Sequence, residues 1–212
     1  MKKDYTHICI VLDASGSMGS VESETKASFN NFMEEQKKLT GKVTVDVYQF
    51  STTVKKIVDF KDISDVSDLM AEYRCSGWTA LNDAIGMSID EVGTKLASMD
   101  EDERPEKVLF MILTDGEENY SKEFTDTNEI KSKIDHQTNK YKWDFLYLGA
   151  NQDAFTNGTS YGFSSNRCLN FSNNAGGMSA VTNALNSYTT QYRSVSVDKA
   201  QTLGFNRKSA DD

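Results

Sequence analysis

Two unbroken apolar runs, each stopped by an acidic residue, constrain this chain more than any other feature. Ile8, Cys9, Ile10, Val11 and Leu12 run into Asp13, and Val108 to Leu113 run into Thr114 and Asp115. Short runs of this kind, without polar alternation, read as strands buried on both faces of a parallel sheet. Each would carry a carboxylate at its C-terminal end. After Asp13 the chain offers hydroxyls at alternate positions, Ser15 and Ser17, in a turn that Gly16 and Gly19 allow to fold tightly. A carboxylate and two hydroxyls present only hard oxygen ligands, which suits a small hard cation such as Mg²⁺. Asp, Ser and Gly are equally the ordinary residues of a loop after a strand, so this segment alone leaves both readings open.

The remaining pattern fills in a layered fold. Val21 to Leu39 carries Ala27, Phe29, Phe32, Met33 and Leu39 at helical spacing among charges. Val43, Val45 and Val47 alternate with Thr44, Asp46 and Tyr48, the period of a strand. Val54 to Phe60 follows after only three residues, which permits a hairpin but no helical crossover, so this third strand is predicted as an antiparallel edge. Asp62 to Tyr73 reads as a short helix with Ile63, Val66, Leu69 and Met70 on one side. A loop containing Gly77, Trp78 and Thr79 leads into a long amphipathic helix marked by Leu81, Ile85, Ile89, Val92 and Leu96.

Asp100 to Glu106, with the only proline, Pro105, is expected to be a charged linker before the second apolar run. A helix over Thr127 to Lys140, a fifth strand from Trp143 to Leu148, a short helix or turn over Asn151 to Tyr161 and a last strand from Cys168 to Phe171 follow. Met178, Val181, Leu185, Tyr188 and Tyr192 give a final helix an apolar stripe read as core packing. Weak periodicity marks residues 195–212 as a tail, expected to be partly disordered, after a single domain of residues 1–194.

Strands alternating with helices predict an α/β fold: a doubly wound, mostly parallel six-stranded sheet with one antiparallel edge strand and helices on both faces. In such sheets ligands bind outside the carboxyl ends of the strands, where the strand order reverses. If the first and fourth strands are neighbours there, the Asp13 and Asp115 loops meet.

Composition narrows the function. Asp and Glu outnumber Lys and Arg by 32 to 23, a formal charge of −9, which opposes general binding to nucleic acid or anionic lipid. No apolar stretch approaches the length needed to cross a bilayer, and the N-terminus lacks the pattern of a secretion signal, so a cytoplasmic location is expected. Cys9, Cys75 and Cys168 are odd in number and far apart, and read as small core residues rather than a disulfide framework or a zinc cluster. His7 and His136 are read as unrelated to the site.

Asp13, Ser15 and Ser17 in DASGS, Thr79 in GWTALNDAI and Asp115 in LTDGEEN together resemble the metal-ion-dependent adhesion site of the von Willebrand factor A domain family, and the resemblance spans Tyr5 to Arg193. It implies a Rossmann-like fold and a divalent cation, Mg²⁺ or Mn²⁺, touched by the hydroxyls of Ser15, Ser17 and Thr79. Asp13 and Asp115 would contact it directly or through water. It also implies a protein partner whose acidic side chain or carboxyl terminus fills the remaining position. The stretch WDFLYLGANQDAF resembles bacterial and bacteriophage-encoded members of that family. From the wider family comes a further expectation, a switch in which metal engagement moves the final helix.

Glu117 and Glu118 are read as a solvated acidic loop, with a negative rim of the site as the other reading. Trp78 is either a lid on the helix beneath or an exposed contact residue. The rival function is a metal-dependent hydrolase or phosphatase using Asp13 as nucleophile. Against it, Ser15 stands where the aspartate-nucleophile phosphatase pattern has a second Asp. No basic residue or His lies in the motif loops, and there is no Gly-rich phosphate-binding loop. A structural protein with a vestigial site is disfavoured because every site position is filled.

Overall fold

The computed structural model describes residues 1–67, 71–150 and 153–205. The first apolar run lies within β1 (Lys2–Asp13) and the second within β4 (Pro105–Thr114), and the two are parallel neighbours with Leu12 opposite Leu113. With β2 (Lys42–Phe50), β3 (Val54–Asp62), β5 (Asp144–Ala150) and β6 (Cys168–Phe171) they form a six-stranded sheet in the order β3-β2-β1-β4-β5-β6. Only β3 is antiparallel, at one edge, as the short connection from β2 requires. The order reverses between β1 and β4, so both acidic strand ends open at the crevice where doubly wound sheets take their ligands.

Helices α1 (Glu22–Lys37) and α5 (Ala175–Ser194) cover one face. Phe29, Phe32 and Met33 from the first, and Met178, Val181 and Leu185 from the second, pack on Ile8, Ile10 and Leu12. On the other face α2 (Leu81–Ala97) and α3 (Thr127–Tyr141) bring Ile85, Ile89, Val92, Ile130 and Ile134 against Cys9, Val11 and a stack of Phe110, Trp143 and Phe145. Cys9 and Cys168 are buried core residues and Cys75 is half-buried. Among the described residues no helix is long and apolar enough to cross a membrane.

The alternation in β2 has a different outcome from its usual meaning. Thr44, Asp46 and Tyr48 face the α2 layer and are buried, so each needs a polar partner. Thr44 Oγ1 meets Tyr5 Oη at 2.9 Å and His7 Nδ1 at 3.0 Å, Asp46 Oδ2 faces His7 Nε2 at 3.3 Å, and Tyr48 donates to Glu91. His7 is therefore a buried partner of a buried acid, well inside β1.

The structure corrects several sequence expectations. Of the helix read over Asp62 to Tyr73, the described residues show only a 3-10 turn at Ile63–Asp65. The Asp62 carboxylate accepts from the Ser64 amide and hydroxyl, and Val66 is already extended and buried, which ends the turn. Leu69 and Met70 lie outside the described residues, as do Asn151 and Gln152. The stretch 151–161 contains α4 (Ala154–Ser160), which the Asp153 carboxylate caps. Pro105 opens β4 rather than belonging to a linker, a position where its missing N–H costs little.

Packing also continues past residue 194. A short helix, α6 (Val197–Ala200), is followed by Leu203, and both Ala200 and Leu203 are buried. The Arg167 guanidinium donates to the carbonyls of Ala200 and Gln201 while its Nε holds Asp144 at 2.7 Å. Lys107 Nζ donates to the carbonyls of Tyr192, Arg193 and Val195. The charged groups that tie down this segment lie far upstream, where periodicity within the segment cannot reveal them. The tail's residues 206–212 lie outside the described residues.

Candidate metal centre

Asp13 is fixed on every side. Its Oδ1 accepts the Ser15 amide at 2.7 Å, its Oδ2 accepts the Thr114 hydroxyl at 2.6 Å from the adjacent strand, and its carbonyl accepts the Tyr73 hydroxyl. The Ala14 amide, one step on, donates to the Phe50 carbonyl of β2 at 2.6 Å. The turn then carries Ser15 Oγ to within 3.0 Å of Ser17 Oγ, and Ser17 Oγ donates to Asp115 Oδ1 at 2.6 Å. Asp115 Oδ2 accepts from Asn173 Nδ2 at 2.8 Å, a contact from the loop between β6 and α5.

Thr79 reaches the group from the start of α2. Its amide donates to Asn119 Oδ1 at 2.9 Å and its carbonyl accepts the Asn119 amide at 3.0 Å, which locks it beside the loop after Asp115. A methyl group on Gly116 would sit 3.3 Å from Thr79 Oγ1 and 3.9 Å from Ser17 Oγ, so both hydroxyls border one small volume. Gly77 makes the approach possible. Its φ is +80°, its carbonyl accepts the Gly16 amide at 3.1 Å, and any side chain there would strike Thr52 Oγ1.

The structure thus brings Asp13, Ser15, Ser17 and Asp115 into one hydrogen-bonded group and sets Thr79 at its border. Asp13 and Ser15 are buried, Asp115 is partly so and Ser17 is exposed. Burial pushes the Asp13 carboxyl above its ordinary range, against the Thr114 and Ser15 hydrogen bonds, and the charge of Asp115 adds to the upward push. Burial likewise raises Asp115, opposed by Ser17 and Asn173. Two partly desolvated carboxylates facing one volume fit a dication that would offset their charge. The donor set is all oxygen, the chemistry of Mg²⁺ and Mn²⁺. Among the described residues no group of three or more His, Cys, Asp or Glu gathers, so hydroxyls must supply much of any coordination here.

Several residues to which the sequence assigned no supporting role hold this group in place. Glu118 is no solvated acid: its carboxylate accepts from the amides of Asn82, Tyr120 and Ser121 and from the Ser121 hydroxyl. Asp83, in the first turn of α2, accepts from the amides of Lys122, Glu123 and Phe124. Together they pin the loop that follows Asp115 onto the α2 N-terminus, where carboxylates also meet a favourable helix dipole. Glu117 is exposed. Asn173 and Tyr73 lie outside any motif, and only the fold brings them to the site. Trp78 is 60% exposed and stacks on Tyr120, with ring centroids 6.3 Å apart and an interplanar angle of 7°. A recess of about 510 Å³ lined by Arg104, Trp143 and Val108 shares no residue with the group.

The family model described as the von Willebrand factor type A domain matches residues 7–154. Solved structures similar in fold include proximal thread matrix protein 1 from the mussel byssus with a zinc-occupied MIDAS motif, at 15% identity and a TM-score of 0.63, covering 90% of this chain and 47% of that one. The pilus adhesin SpaC from Lactobacillus rhamnosus GG matches at 16% identity and a TM-score of 0.65, covering 90% and 30%. The minor pilin PilB from Streptococcus sanguinis matches at 12% identity and 0.62, covering 90% and 62%. The chain spans about half the length of the mussel protein. A comparison with curated proteins finds no match.

Proposed function

The chain belongs to the von Willebrand factor type A domain family, and we propose that it is a non-enzymatic module that captures a carboxylate of a partner protein through a divalent cation. The observation that carries this reading is the 2.6 Å hydrogen bond from Ser17 Oγ to Asp115 Oδ1, which joins side-chain oxygens from the ends of two separate strands. Asp13, Ser15, Ser17, Thr79 and Asp115 would hold Mg²⁺ or Mn²⁺. When bound, the cation supplies an electrophilic position for an anion that the acidic chain would otherwise repel. Thr114 and the Ser15 amide hold Asp13 in place, and Asn173 holds Asp115.

The ligand is an acidic side chain or a carboxyl terminus. Domains of this family often mediate metal-dependent protein interaction, and the zinc-occupied motif of the mussel protein, the SpaC adhesin and the PilB pilin lend support at the level of fold. Binding is favoured over hydrolysis. The groups that hold the Asp13 and Asp115 carboxylates are the Ser15 amide, the Thr114 and Ser17 hydroxyls and the Asn173 amide, all neutral, so none of them acts as a charge clamp.

Calorimetric titration of metal-stripped protein with Mg²⁺ and with Mn²⁺ tests the reading, in parallel with Asp115→Ala checked for folding by circular dichroism. Saturable binding in the parent, weakened at least about tenfold in a folded variant, is expected. Equal affinity in the two proteins would remove this group as the cation site.

A further inference from the structure

We propose that the partner's metal-seeking acidic residue is adjoined by an aromatic residue, and that Trp78 is the surface that reads it. The inference rests on the proposed carboxylate capture. Trp78 immediately precedes Thr79, and Tyr120 immediately follows the Asn119 that pairs with Thr79, so the stacked rings flank the backbone that carries the Thr79 hydroxyl, within the reach of a residue adjoining a captured carboxylate. The ring is exposed but not loosely held. The Trp78 amide donates to Thr52 Oγ1 at 3.1 Å, and the Thr79–Asn119 pair of backbone bonds sets Trp78 alongside Tyr120. Tyr120 is held in turn by the Glu118 carboxylate through its amide. Two rings in near-parallel stack on fixed backbone form a preorganised flat surface, the kind of exposed aromatic that anchors an interface at small entropic cost.

Charge selects what lies on it. The Lys122 ammonium sits 4.7 Å from the Tyr120 ring centroid, so the stack already carries a cation, and a second one from a ligand would be repelled. Glu117, exposed in the same loop, disfavours further carboxylates beyond the one the cation takes. A neutral planar ring meets neither penalty and gains offset stacking on the indole.

The test uses Mg²⁺-saturated protein and four blocked tetrapeptides: Gly-Asp-Phe-Gly, Gly-Phe-Asp-Gly, Gly-Asp-Ala-Gly and Gly-Asp-Arg-Gly. The two Trp indole N–H signals are followed by NMR and assigned with Trp78→Phe. One or both Phe peptides should bind about tenfold more tightly than the Ala peptide, as stacking of this kind allows. They should also shift the Trp78 signal, and Trp78→Ala should bring them down to the Ala level. Equal affinities for Phe and Ala in the parent, an advantage that persists in Trp78→Ala, or preference for the Arg peptide would overturn the aromatic reading while leaving carboxylate capture standing. Binding of all four peptides that is indifferent to chelation, or no binding at all, would overturn carboxylate capture itself and this inference with it.

Discussion

Replacing Glu118 by alanine removes an acceptor that satisfies four donors at 2.7 Å: the amides of Asn82, Tyr120 and Ser121, and the Ser121 hydroxyl. A hydrogen bond to a charged acceptor contributes about 1.5–3 kcal/mol net, and four of them would sum to about 6–12 kcal/mol. Glu118 is only half-buried and water can reach part of the opened loop, so the sum is an upper bound and a loss of about 3 kcal/mol is expected. For a domain of this size that corresponds to a melting temperature lower by about 6–12 °C. Glu118→Gln keeps one accepting oxygen and turns the other into a donor facing donors, so it should retain part of the parent's stability. Urea denaturation at 25 °C with matched slopes measures the difference. A loss below about 0.5 kcal/mol for Glu118→Ala, the range of an inconsequential surface change, would refute the idea that this carboxylate organises the loop. If it does organise the loop, Mg²⁺ affinity should fall in the same variant, because Asp115 and the Asn119 that locks Thr79 belong to the segment released.

Arg167→Ala strips Asp144 of its 2.7 Å partner in a buried setting and frees the carbonyls of Ala200 and Gln201, so a loss of about 3–5 kcal/mol is expected, with faster proteolysis within residues 195–205. Asp46 governs an acid transition. Burial pulls its carboxyl up, but His7, the Phe60 amide at 2.6 Å and Lys56 outweigh burial and hold it below its ordinary 3.8. Its contribution to stability is therefore complete above pH 3.8 and is lost as pH falls through the lower folded value, so Asp46→Asn should flatten the decline of stability in that window, as read by denaturant midpoints at each pH.

The strands at the centre were legible because burial on both faces leaves a sequence mark, and β1 and β4 each show five or more consecutive apolar residues. The hairpin of β2 and β3 was legible because three residues cannot hold a crossover. The segment from Asp62 was misread because apolar spacing says nothing about a side chain that captures its own backbone, as Asp62 does with Ser64. The motif residues announced the cluster, since each sits at the end or start of a regular element. Its supports did not: besides the local bonds of Glu118 to Tyr120 and Ser121, Glu118, Asp83, Tyr73 and Asn173 reach partners 36 to 60 residues away in sequence, which no local pattern encodes.

The sequence distances inside the cluster also set an order of events in time. Thr114 meets Asp13 across 101 residues, Ser17 meets Asp115 across 98, and Asn173 reaches Asp115 across a further 58. A growing chain that has exposed only its first hundred residues owns the DASGS loop and Thr79 but lacks Thr114, Asp115 and Asn173, which close the cluster. Loops of this length close late and slowly compared with local helices. The completed cluster is therefore a property of the finished domain, and whatever occupies it binds only folded molecules and draws the equilibrium toward them.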